Sequence, residues 1–124
     1  MNLQHIAISV SELSEIKDFY KNILGMEVTK KFKLSPDLAN TIFNICKEVT
    51  VFQLKKGNVE LEVFVCSEKT NLGFAHICVS VSHREELLQN ANEQGYRTII
   101  ITRDYGDLMF LSDKSGNLFE IKEV

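Results

Sequence analysis

The sequence predicts an α+β fold of two βαβββ modules, and three observations carry that prediction. Strand-like and helix-like hydrophobic periodicities run in the order strand, helix, three strands, and then repeat that order. The second pass repeats residues as well as elements, since His5-Ile6-Ala7-Ile8-Ser9-Val10 is matched by His76-Ile77-Cys78-Val79-Ser80-Val81. The 124 residues, 44% hydrophobic and 25% charged with one Pro and six Gly, suit one ordinary domain. No linker or low-complexity tract divides them. Module one spans about 1–66 and module two about 72–124.

The elements follow in order. Leu3–Val10 reads as a strand. From Ser14 to Leu24, Ile16, Phe19, Tyr20, Ile23 and Leu24 recur at helical spacing, and Gly25 ends the stripe. Glu27–Phe32, Val49–Lys55 and Val59–Cys66 read as the three following strands, with Lys56-Gly57-Asn58 as a turn. The second pass comprises the strand Phe74–Val81, the helix Arg84–Gln94, and the strands Thr98–Thr102, Leu108–Ser112 and Leu118–Lys122. Its helix starts with a capping box of Ser82 and Glu85 and ends at Gly95. The first half carries about 11 more residues, because Glu60 follows His5 by 55 positions and Glu120 follows His76 by 44. Lys33–Lys47 holds the excess. Ser35-Pro36 marks a helix start there, and Leu38, Ala39, Ile42 and Phe43 give one apolar face. Such a helix either covers a sheet edge or subunit contact, or lines a pocket as a lid.

Charge and cysteine usage narrow the function classes. Fourteen basic against seventeen acidic residues leave −3, with no Lys/Arg block, so no nucleic-acid partner is expected. No apolar run reaches the roughly 18–20 residues of a membrane span. Met1-Asn2-Leu3-Gln4-His5 lacks the zones of a secretory leader. Cys46, Cys66 and Cys78 are odd in number and without C-x-x-C spacing, which argues against a disulfide framework or a zinc ribbon. A reduced, cytoplasmic protein is the expectation.

The chemistry lies in the repeat. Val59-Glu60-Leu61 matches Phe119-Glu120-Ile121, so each half has one His and one Glu at equivalent places: His5 with Glu60, His76 with Glu120. A single strand His or Glu has an ordinary structural or solvated reading; recurrence of both sets these four apart. Alternation along a strand puts Ala7 and Ser9 beside His5, Cys78 and Ser80 beside His76, Glu62 and Phe64 beside Glu60, and Lys122 beside Glu120. If the halves pack as pseudo-symmetric copies, the four can converge. Two neutral imidazoles and two carboxylates balance a divalent cation, and mixed N/O donors suit Zn, Ni, Co, Fe or Mn.

The chain resembles the vicinal oxygen chelate superfamily, which includes glyoxalase I, methylmalonyl-CoA epimerase, extradiol dioxygenases and the fosfomycin- and bleomycin-resistance proteins. The carriers are Leu3–Val10, Asp18-Phe19-Tyr20-Lys21-Asn22-Ile23-Leu24-Gly25, Phe74-Ala75-His76-Ile77, and Asp113-Lys114-Ser115-Gly116-Asn117-Leu118-Phe119-Glu120-Ile121. The resemblance implies paired βαβββ modules round a metal cleft, commonly in a homodimer, with His5, Glu60, His76 and Glu120 as metal ligands. It implies a lyase- or isomerase-like enzyme that chelates a small oxygen-rich substrate and moves a proton through Glu120 or Glu60. The alternative in the same fold is a ligand-sequestering resistance protein. Glutathione-dependent glyoxalase I resembles an Arg four residues after the first His and an Asn four after the first Glu. Here Ser9 and Phe64 stand there, so no glutathione dependence is expected.

Overall fold

The computed structural model describes residues 3–67 and 75–124. The chain forms two compact units, Met1–Lys69 and Thr70–Val124. Each holds a four-stranded mixed sheet. In the first, β1 (Ile6–Val10), β2 (Glu27–Leu34), β3 (Val49–Lys56) and β4 (Val59–Val65) lie in the order β1-β4-β3-β2. In the second, β5 (Ile77–Val81), β6 (Arg97–Ile101), β7 (Leu108–Ser112) and β8 (Leu118–Glu123) lie in the order β5-β8-β7-β6. The opening strand of each unit runs parallel to the last, and the remaining pairs are antiparallel. The doubled order read from the sequence is therefore the fold.

Boundaries differ in instructive places. Both histidines were expected inside strands, yet His5 and His76 each stand one residue ahead, at the open mouth of the parallel pair. Phe74, expected to begin β5, lies outside the described residues. The first helical stripe buries Ile16, Phe19 and Tyr20, but as a π-helix over Ile16–Lys21. The Asn22 N–H bonds to Lys17 O and that of Leu24 to Phe19 O, both five residues back. Gly25, at φ +70°, turns the chain out of it, and a Cβ there would meet Lys56 Nζ at 3.1 Å. That ammonium donates to Leu24 O at 2.8 Å.

The insert forms α1 (Pro36–Phe43), and Ser35 Oγ accepts the Leu38 N–H as expected of its cap. The second long helix, α2 (Arg84–Glu93), corrects the capping-box expectation. His83 holds the cap position in the left-handed region without a side-chain bond, and the carboxylate of Glu123 accepts the His83 and Arg84 N–H groups, each at 2.8 Å. These two bonds are what hold the Glu123 carboxyl below its ordinary value of 4.5. Stability from this group is present above that value and is lost as pH falls through the lowered one. Glu123→Gln is therefore expected to be less stable than wild type at pH 7, with the gap closing on acidification. Urea midpoints across pH 3–7 measure it, and a gap independent of pH would refute the assignment.

Phe52, Leu54, Leu61 and Val63 share one face of the first sheet and are buried, as are Phe19 and Tyr20; Leu88, Ala91, Leu111, Phe119 and Ile121 are buried apolar residues of the second unit. The opposite face of each sheet carries the polar residues of the repeat.

Candidate functional site

In the first unit the register pairs Ile6 with Leu61 and Ala7 with Glu62. His5 lies on the same face as Ala7, and its Nε2 stands 3.8 Å from Glu62 Oε2. Gln53, directly opposite Glu62 on β3, donates from Nε2 to the same oxygen at 3.3 Å. The Glu62 side chain is only 16% exposed. Glu60 faces Lys55 across β3 and β4, forms an ion pair with it at 3.0 Å, and is 46% exposed.

The second unit reproduces this register. Cys78 lies opposite Glu120, so the Glu again pairs with the residue two beyond the His, and His76 Nε2 stands 3.6 Å from Glu120 Oε2. The partner of Glu120 in the repeat is therefore Glu62. Glu62, where the sequence pattern pointed to Glu60, is thus the carboxylate beside His5. Both Val59-Glu60-Leu61 and Leu61-Glu62-Val63 mimic Phe119-Glu120-Ile121, and strand parity cannot tell residues two apart; pairing across β1 and β4 does. His5 stands beside the carboxylate of Glu62, and His76 beside that of Glu120. The count of four beyond the first Glu moves with it, from Phe64 to Cys66.

Other groups tune the second pair. Lys122 Nζ lies 3.8 Å from Glu120 Oε1, and the Phe110 ring meets the His76 imidazole edge-on. Partial desolvation, and then the Glu120 carboxylate, raise the thiol of Cys78 above its ordinary value, although the residue as a whole is exposed.

The donor chemistry fits a divalent cation. N and O ligands bind at about 2.0–2.2 Å, so two donors of one ion are at most about 4.4 Å apart, and both His–Glu pairs meet that limit. Among the described residues, no three His, Cys, Asp or Glu side chains are grouped to hold a metal; what each unit presents is a pair.

Each unit also has a cup beside its pair. In the first, a cavity of about 420 Å³ is lined by Ala7, Ser9, Ala39, Phe43, Phe64 and Cys66 among others. Phe43 of α1 packs edge-on against Phe64 at 5.3 Å, so α1 lines the cavity with Ala39 and Phe43. Leu38 and Ile42 point away, 52% and 60% exposed. In the second, a cavity of about 380 Å³ lies between the 102–107 connection and β8, beside Glu120. Arg84, Arg103, Tyr105 and Lys122 line it. Gly106 of the connection lines it too; Arg103 and Arg84 carried no local sequence signal.

Comparison with known proteins agrees with this architecture. Residues 2–121 match the family model of the Glyoxalase/Bleomycin resistance protein/Dioxygenase superfamily. The chain is 24% identical to mitochondrial methylmalonyl-CoA epimerase of Bos taurus, over 98% of this chain and 74% of that protein. A glyoxalase family protein from Enterococcus faecalis superposes with a TM-score of 0.73 at 28% identity, over 97% of this chain and 95% of the other. The fold is also that of the fosfomycin resistance protein FosX from Listeria monocytogenes, whose E126Q mutant was solved with Mn(II) and 1S,2S-dihydroxypropylphosphonic acid (TM-score 0.73, 16% identity, over 97% and 90% of the two chains). A match over nearly the whole chain, on a doubled βαβββ frame with one His–Glu pair per unit, makes this protein a member of the glyoxalase/bleomycin resistance/dioxygenase superfamily.

Proposed function

We propose that the protein is a metal-dependent enzyme of isomerase or lyase type that moves a proton on a small oxygen-rich substrate. The observation that carries this reading is the recurrence of a His–Glu pair, at 3.8 and 3.6 Å, in the same strand register of both units. His5 with Glu62 in one unit, and His76 with Glu120 in the other, are the donor pairs this reading gives to a divalent cation. When bound, such a cation stabilises negative charge that develops on a substrate oxygen. Gln53 Nε2 holds Glu62 in place, and Lys122 holds Glu120 from the other side. A carboxylate oxygen of Glu120 or Glu62 takes the proton from carbon and returns it, which is the step an isomerase needs.

The test is exchange of a carbon-bound proton with D2O, followed by NMR on a panel of α-substituted carboxylates and thioesters that includes methylmalonyl-CoA. Metal-loaded wild type is expected to exchange at least one of them, and His76→Ala none. Exchange that survives His76→Ala, or a wild type without stoichiometric cation, would overturn the reading.

Glutathione is not the expected substrate. Ser9 and Cys66 stand where an Arg and an Asn would hold the tripeptide, and both line the cup of the first unit. A hydrogen bond to a charged group is worth roughly 1.5–3 kcal/mol, so losing both contacts costs about 10²-fold or more in binding. Lactoylglutathione formation by nickel-, cobalt- or zinc-loaded protein is expected to be negligible. A specificity constant near ~10⁴ M⁻¹s⁻¹ would reverse this conclusion.

A further inference from the structure

The cups of the two units have diverged, and the difference is chemical. Two residues beyond Glu62 stands Phe64, closed over by Phe43; two residues beyond Glu120 stands Lys122. The same face of the same strand is apolar in one copy and cationic in the other, so the fold does not require a lysine there. The connection between β6 and β7 adds a second cation. Arg103 stacks over the Tyr105 ring, with its guanidinium carbon 4.4 Å from the centroid, and its Nε donates to Gly106 O at 2.8 Å. Gly106, at φ +117°, lets the loop make that turn. Stacking plane and Nε bond fix the guanidinium, and its terminal nitrogens make no hydrogen bond among the described residues. Arg84 supports the wall from behind, since its Nη1 donates to Asp107 O at 3.2 Å and lies 3.5 Å from Ile121 O.

Resting on the metal-dependent reading above, we infer that this cup binds an oxyanionic group of the substrate through Arg103 and Lys122. The substrate class is then a small oxygenated acid, bearing a carboxylate or a phosphate-type group next to the oxygens it offers to a metal. A preorganised guanidinium fork and a lysine ammonium match such a group in shape and charge. The Glu120 carboxylate, 3.8 Å from Lys122 Nζ, marks the inner end of the cup and opposes an anion as long as no cation neutralises it.

Metal-free protein kept in chelator isolates this site from the metal reading. Inorganic phosphate and acetate, titrated separately at constant ionic strength, are the probes, and backbone amide shifts are the readout. Saturable shifts are expected at residues 103–109 and 120–122, from phosphate if the group is phosphate-type and from acetate if it is a carboxylate. Arg103→Gln and Lys122→Gln should each weaken binding about tenfold or more, whereas Glu120→Gln should tighten it. No saturable shift with either probe, shifts elsewhere, or affinities unchanged in the two cation variants would overturn the proposal. Cation content of the same variants without chelator reports on the metal reading alone, so the two fail separately.

Discussion

Glu62→Gln is expected to weaken divalent-metal binding by at least about 10²-fold, while Glu60→Gln changes it by less than about twofold. Loss of groups that merely orient ligands costs about 10–100-fold, and an amide in place of a ligating carboxylate removes both a donor and a charge. Glu62 sits mostly shielded, held by Gln53 and 3.8 Å from His5. Glu60 is half exposed and paired with Lys55, an arrangement worth little in stability or affinity. Competition with a chromophoric chelator, using cobalt or zinc, gives both numbers. A larger loss in the Glu60 variant would mean that β1 pairs with β4 two residues out of the register described.

Asp113→Ala is expected to destabilise the protein by about 3 kcal/mol. The Asp113 carboxylate is almost fully buried, and Oδ1 accepts the N–H groups of Ser115 and Asn117 at 3.0 and 2.8 Å. Oδ2 accepts from Asn117 Nδ2 at 2.7 Å. Bonds to a charged acceptor are worth roughly 1.5–3 kcal/mol each, and truncation leaves the donors unmatched. The hairpin so fixed is the one that delivers Glu120 three residues later. Equilibrium urea unfolding reads the loss; a change under about 1 kcal/mol would refute the role. The Asp-x-x-Gly-Asn pattern of this turn thus has a mechanical reason.

The sequence disclosed most of what depends on near neighbours. The stripe of Ile16, Phe19 and Tyr20 is buried, Ser35 caps α1, and Leu108–Ser112 is β7 to the residue. It concealed what depends on distant partners. The π-type bonding of Ile16–Lys21 follows from packing, because its apolar spacing is also that of an α-helix. The cap of α2 comes from Glu123, 39 residues after Arg84, where local pattern offered Ser82 and Glu85. Glu60 and Glu62 share parity and apolar neighbours, so only pairing with β1 separates them. Lys122 was legible as a neighbour of Glu120, but Arg103 joins it only through a loop fold that no periodicity encodes.

The parallel pairing of β1 with β4 has a consequence for the order of assembly. The β2-β3-β4 meander is built from contacts between successive strands, whereas β1 must return across 57 positions, from His5 to Glu62, to complete the sheet. Closing so long a loop costs chain entropy before any contact repays it, which makes β1 a late arrival in folding and an early departure in unfolding. In the second unit the corresponding span, His76 to Glu120, is 44. The imidazole and the carboxylate of each pair therefore meet only when that non-local strand docks. A cation bridging them would act as a clasp on that last strand, keeping a sheet edge from peeling away.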